Sequence, residues 1–427
     1  MLKIFSPSKK NWTKHLLRPQ QNQENLSNIV SGVFDKISIQ KDAAVLEYTH
    51  FYDHVKLDSY AVSADEIQNA GTKISEELKN AILLAKSNIE KFHQAQKTTK
   101  VEVETTEGVF CWQEKKPIQK VGLYIPGGTA PLFSTVLMLA IPAQIAGCAE
   151  IVLCSPPDQS GNIHPAILFA ASICGVTKIF KVGGIQAVAA MTLGTETVPP
   201  VYKIFGPGNQ FVTAAKQYAM KYGVAIDMPA GPSELLVFAD YSAVPSFVAA
   251  DLLSQAEHGI DSQVILVSTS KILIDAVEIE INHQLQELPR QAIAEKAIAN
   301  SKIIYVENDE IAIDLINDYA PEHLIICAEN EEVFVKNIHN AGSVFLGNFT
   351  PESAGDYASG TNHTLPTNGF ARNYSGVNLD SFLKSITYQK ITKKGIQNIG
   401  KAIEIMAETE GLQAHKNAVS LRLLDLD

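Results

Sequence analysis

Two successive series of short β-rich runs, separated by helical stretches, constrain this chain more than any other feature. Val121–Ile125, Ile151–Cys154, Lys178–Val182, Tyr202–Phe205 and Leu235–Ala239 form the first series. Gln263–Val267, Lys302–Val306, His323–Cys327 and Ser343–Leu346 form the second. Strands that alternate with helices predict parallel sheets joined by right-handed crossovers, and two series predict two α/β halves. From Glu24 to about Gln96 apolar residues recur at helical spacing, and Ser63 followed by Asp65 and Glu66 has the pattern of a helix start. The chain is expected to turn helical again from about Asp380.

Composition narrows the classes of partner. The 427 residues carry 35 Lys+Arg against 46 Asp+Glu, a net charge of −11, with no basic block. A phosphate backbone is bound by clustered cations, so nucleic acid is not an expected partner. The longest apolar stretch, Leu132 to Cys148, is interrupted by Ser134, Thr135, Pro142 and Gln144. It falls short of the ~20 clean residues of a bilayer span, so no membrane segment is expected. The first residues, MLKIFSPSKKNWTK, lack the apolar core of a secretory signal. Five cysteines (Cys111, Cys148, Cys154, Cys174 and Cys327) show no CxxC spacing and suit buried thiols in a cytoplasmic setting.

Four Gly-rich turns lie at or near the ends of strand-like runs: YIPGGTAPLF (Tyr124–Phe133), VGGIQA (Val182–Ala187), FGPGNQF (Phe205–Phe211) and MPAGPSE (Met228–Glu234). Each can be a tight βα turn, or can offer backbone N–H groups to a phosphate at a helix entrance. None matches the dinucleotide fingerprint, because Phe211 stands where a third small residue belongs. In DLLSQAEHG, Gln255 and His258 lie three apart at a helix end, a chelating geometry that is incomplete for a metal on its own. In YAPEHL, Glu322 and His323 adjoin at a strand entrance, where neighbours point to different sides and could take two acid–base roles. Thr350–Thr367 reads as a long polar loop holding Asp356 and His363. Near the end, EGLQAHKNA offers Glu410 and His415. Each motif alone also has a plain structural reading: a capped helix end, a surface Glu–His pair, an exposed terminal His.

Together, VGLYIPGGTAPLFSTVLMLA, KIFGPGN, DMPAGPSE, DLLSQAEHGIDSQV, PEHLII, AGSVFLG, PESAGDYASGTNHTLPT and AHKNAV resemble the histidinol dehydrogenase family, in order and at family-like spacing from about Glu24 to Leu423. The resemblance implies oxidation of L-histidinol through L-histidinaldehyde to L-histidine, the last steps of histidine biosynthesis, with two NAD and a required zinc. It implies zinc ligands at Gln255, His258, Asp356 and His415, and substrate contacts at those four and at Ser233, His323 and Glu410. NAD would be held by Tyr124, Gln186 and Asn209, with His363 behind the ligands. The implied fold is α/β, with two Rossmann-like parallel-sheet domains and helical extensions. Expected bounds are 1–100 for a helical N-terminal region, 101–240 for the NAD-binding domain, 241–379 for the domain with metal and catalytic residues, and 380–427 for a helical extension that completes the site. The family is also a homodimer in which the late segment of one chain completes the site of the other.

The implied chemistry suits these residue types. A base must take the alcohol proton, and an imidazole with an ordinary pKa of ~6.5 fits, which selects His323. The aldehyde must gain water before a second hydride leaves, and a carboxylate, Glu322, is placed to activate it. The competing readings are a zinc hydrolase, in which Glu322 activates metal-bound water, and a non-catalytic α/β binding protein.

Overall fold

The computed structural model describes residues 1–18, 24–127, 130–229 and 231–426. Gly128 and Thr129 of the first Gly-rich turn and Ala230 of the fourth lie outside the described residues. The described residues form fourteen strands: β1 (Leu2–Phe5), β2 (Val101–Thr106), β3 (Val109–Pro117), β4 (Lys120–Tyr124), β5 (Glu150–Ser155), β6 (Lys178–Lys181), β7 (Lys203–Phe205), β8 (Ala225–Ile226), β9 (Glu234–Ala239), β10 (Gln263–Ser268), β11 (Lys302–Tyr305), β12 (His323–Cys327), β13 (Ser343–Leu346) and β14 (Leu383–Ile391).

Two parallel sheets form as the alternation predicts. The first has the order β6-β5-β4-β7-β8, and the second β1-β11-β10-β9-β12-β13. The helix Phe133–Ala146, which lies within the longest apolar stretch of the sequence, is buried from Ser134 to Ala143 against the first sheet. Its apolar character therefore serves the core, and no helix among the described residues is long and apolar enough to cross a membrane. Ser63 caps the helix Ala64–Ala70 with a complete capping box, its hydroxyl accepting from Glu66 N–H while the Glu66 carboxylate accepts from Ser63.

Three elements differ from the reading of the sequence. β9, grouped above with the first series, is a central strand of the second sheet, in register with β10 on one side and β12 on the other. Order along the chain could not reveal this, because the crossing between the sheets takes only residues 227–233. β1, within the stretch read as helical, adds the second sheet's edge strand by pairing with β11, and its four residues are too few to show a period. β14, in the stretch expected to be helical from Asp380, is a nine-residue strand. It pairs antiparallel along β3 from Leu383↔Pro117 to Ile391↔Val109, with β2 on β3's other side. Its Ile386, Thr387 and Tyr388 are strand-forming types whose exposed ribbon carries little apolar alternation.

The topology fixes where ligands can bind. In the first sheet the order reverses between β4 and β7, so their carboxyl ends, Tyr124 and Phe205, flank a switch-point crevice. From β8 the chain passes directly into β9, which joins the carboxyl end of the first sheet to the amino end of the second. The Gly-rich turns of one sheet thus lead into the polar strand entrances of the other.

Candidate active site

The amino end of the second sheet carries Glu322 and His323. The helix Asp309–Tyr319 stops at Ala320, which takes the left-handed conformation at φ 53, and Pro321 prevents its continuation. Gly342 donates to Pro321 O and Ser343 to Glu322 O, and a Cβ on Gly342 would stand 2.5 Å from the Glu322 carbonyl, so this approach requires glycine. Glu322 and His323 do not point to opposite sides as expected. Glu322 precedes the strand and is outside its alternation, and its Oε2 lies 3.7 Å from His323 Nδ1.

Both side chains converge on the main chain of Glu234, the first residue of β9. Glu234 N–H donates to Glu322 Oε2 at 2.9 Å, and His323 Nδ1 lies 3.3 Å from Glu234 O. Donation from Nδ1 to that carbonyl leaves Nε2 as the acceptor nitrogen. Nε2 is buried without a hydrogen-bond partner among the described residues, 3.8 Å from Asp356 Oδ1. Burial pushes His323 down to about 4, so the ring is neutral near pH 7 rather than poised at the ordinary value expected above. Burial, with the charges of Glu234 and Asp356, drives Glu322 the other way, well above the usual carboxylate range. Adjacent groups whose environments separate their proton affinities in this way mark an acid–base site.

Thr350–Thr367 is not all loop. Glu352–Tyr357 forms a six-residue helix, which places Glu352 and Asp356 one turn apart on the same face. His323, Glu352 and Asp356 present ligand atoms that all lie within 4.8 Å of one another. Glu352 is the site residue the sequence reading missed. Its i, i+4 spacing to Asp356 was the available signal, hidden in a segment too short and polar to show a helical period. It is buried, and its carboxyl is raised by burial first, then by the charges of Asp356, Glu322 and Asp251.

Gln255 lies in the last turn of the helix Pro245–Ala256 and is fully buried, whereas His258 lies just beyond the helix and is exposed. The Gln255 carboxamide stands between the Glu352 carboxylate, His258 Nδ1 at 3.3 Å and Glu234 N at 3.1 Å. With its nitrogen toward Glu352 and His258 and its oxygen toward Glu234, every partner is satisfied. The opposite orientation gathers the amide oxygen, a carboxylate and an imidazole nitrogen with no donor among them, a set that a cation reconciles. Mixed nitrogen and oxygen donors of this kind fit zinc. His363 Nδ1 lies 2.9 Å from Asp356 O and its Nε2 3.2 Å from Thr135 Oγ1, tying the loop to the helix after the first Gly-rich turn.

At the first sheet, buried Tyr124 accepts a hydrogen bond from Gly184 N–H at 3.2 Å, and burial pushes its phenol up to about 12. Gln186 is buried, and its Nε2 has no hydrogen-bond partner among the described residues. Asn209 is exposed and caps the helix Gln210–Ala219 through Oδ1. Ser233 stands half-buried immediately before β9. Glu410 and His415 are exposed on the C-terminal helices Lys393–Thr409 and Gln413–Leu424 and at their junction, and the chain does not bring them to the other site residues.

Comparison with known proteins identifies the family. A histidinol dehydrogenase family model matches residues 16–423. Histidinol dehydrogenase of Bacteroides thetaiotaomicron is 61% identical over 424 residues, 99% of each chain, and that of Haemophilus influenzae is 54% identical over 415 residues, 97% of this chain and 96% of that one. The crystal structure of histidinol dehydrogenase from Elizabethkingia anophelis superposes with a TM-score of 0.98 at 59% identity, covering 100% of this chain and 98% of that one. A betaine aldehyde dehydrogenase from Staphylococcus aureus, 12% identical with a TM-score of 0.50 over 90% of this chain and 86% of that one, shares the general fold alone. With its family model matched over nearly its whole length and its relatives this similar, the chain belongs to the histidinol dehydrogenase family.

Proposed function

We infer that this chain oxidises L-histidinol through L-histidinaldehyde to L-histidine, reducing two NAD and consuming one water. The observation that carries the reading is the buried Glu322–His323 pair, shifted in opposite directions and facing the Glu352, Asp356 and Gln255 donors. Gln255, His258 and Asp356 would hold zinc, with His415 supplied by a second copy of the chain. Bound zinc would fix the substrate's imidazole and amine and neutralise the acidic side chains around them.

His323 takes the alcohol proton at Nε2 while its Nδ1–H remains on Glu234 O. Hydride then leaves the carbinol carbon for NAD. Glu322, whose raised proton affinity makes it a stronger base than an ordinary carboxylate, removes a proton from the water that adds to the aldehyde. The hydrate gives up the second hydride to a second NAD. Tyr124, Gln186 and Asn209 bind the dinucleotide at the switch point of the first sheet.

Purified protein supplied with limiting histidinol should form two NADH per histidinol, lose activity on chelation and regain it with zinc. A single NADH per histidinol, or undiminished activity in the metal-free protein, would overturn the reading.

A further inference from the structure

Glu234 is the hub on which both members of the catalytic pair are registered, yet the chemistry derived above gives its own carboxylate no role beyond the charge it sets beside Glu322. That side chain is 3% exposed, so its charge must be matched inside the protein. The match comes from the far end of the chain. Arg18, in the N-terminal arm, donates from Nε to Glu234 Oε1 at 2.6 Å and from Nη2 to Oε2 at 2.8 Å, a bidentate fork. The same Nη2 donates to Tyr319 O at 2.8 Å, and the guanidinium carbon stands 4.0 Å from the centre of the Tyr319 ring. The arm is itself seated: Leu17 O accepts from Gln263 Nε2 and from Lys302 Nζ, each at 3.0 Å, and Trp12 and Leu16 are buried in the core beneath the second sheet. Asn368 N–H also donates to Glu234 Oε1, which anchors the segment after the Asp356 and His363 loop to the same carboxylate.

We propose that Arg18 is a positioning residue for the catalytic pair: its fork fixes the Glu234 side chain, and the main chain of Glu234 holds Glu322 through N–H and His323 through C=O. The fork sets the carboxylate by two parallel bonds and the ring contact sets the guanidinium, so the entrance of β9 has one position rather than a range. Lysine provides charge without the fork or the stacking, so it does not substitute.

The proposal rests on the reading of Glu322 and His323 as the catalytic pair. The test uses the zinc-loaded full-length protein with histidinol and NAD, and four variants: Arg18→Met, Arg18→Lys, Arg18→Met combined with Glu234→Gln, and Glu322→Gln as reference. Misplacement of reacting groups by about 1 Å lowers rate roughly 10²-fold, so kcat should fall roughly 10–100-fold in Arg18→Met and Arg18→Lys, with KM for NAD and zinc content at parental values. The double variant removes the unmatched buried charge and should recover Tm while kcat stays low. Recovery of kcat together with Tm would assign the ion pair to stability alone and overturn the proposal. Parental kcat in Arg18→Met alongside an inactive Glu322→Gln would also overturn it, leaving the catalytic pair intact. A fully active Glu322→Gln would instead remove the reading on which the proposal stands.

Discussion

His323 Nε2 and the Glu322 carboxylate offer the site two bases of different strength within one strand entrance. The neutral imidazole is ready to accept but holds a proton weakly, whereas the buried carboxylate holds one strongly. If Glu322 serves the water step, Glu322→Gln should slow oxidation of supplied histidinaldehyde far more than the first hydride transfer, and His323→Asn should impair the alcohol step as well. General acid–base groups contribute ~10²–10⁴-fold, so single-turnover NADH formation resolves the difference. Parental aldehyde oxidation by Glu322→Gln, with failure on histidinol, would exchange the two roles. The pair could be read from the sequence because Pro321 marks a strand entrance and two titratable neighbours are conspicuous there. The sign of the His323 shift could not, because it arises from burial among segments distant in the chain. Glu352 was obscured for a related reason: only the short helix that begins with it brings it beside Asp356.

At the scale of elements, the third Gly-rich turn shows how the loop proposed to hold NAD is fixed. Gly206 has φ 130, and a Cβ there would collide with the carbonyl oxygen of Tyr124, so β4 and β7 meet closely only because the residue is glycine. Asp227 Oδ2 accepts from Gly206 N–H at 2.8 Å, while Lys216 Nζ donates to Gly206 O at 2.8 Å and forms a buried ion pair with Asp227. The turn that carries Asn209 is thereby pinned on both sides of one peptide position. Removing one member of a buried pair costs about 3–5 kcal/mol, so Lys216→Met should lower Tm and raise KM for NAD several-fold. KM for histidinol should be unchanged, and an equal rise in both would place the effect outside the cofactor turn. The glycines and the strand-turn-helix rhythm were legible in the sequence. The membership of β9 was not, since parallel sheets are assembled by pairing across long crossovers and the sequence records only order.

The whole molecule leaves Glu410 and His415 away from the residues they are expected to join. The helix Gln413–Leu424 has no buried residue, and Ile405, Met406, Leu421 and Leu424 on the two C-terminal helices are each more than half exposed. Apolar surface of this extent suits burial against another chain. On the proposed reading His415 would be the fourth zinc ligand in the site of a second copy, and each dimer would hold two sites made jointly. Sequence motifs single out these residues, but which chain they would serve depends on distance, which no motif carries. The direct measurement is complementation between two inactive variants, Glu322→Gln and His415→Asn, mixed under conditions in which subunits exchange. Each mixed dimer then contains one site with both defects and one with neither. With random mixing, half the dimers are mixed, so NADH formation from histidinol should return to about a quarter of the parental rate. Mixed dimers shown to form without any recovery of NADH formation would contradict a site shared between chains.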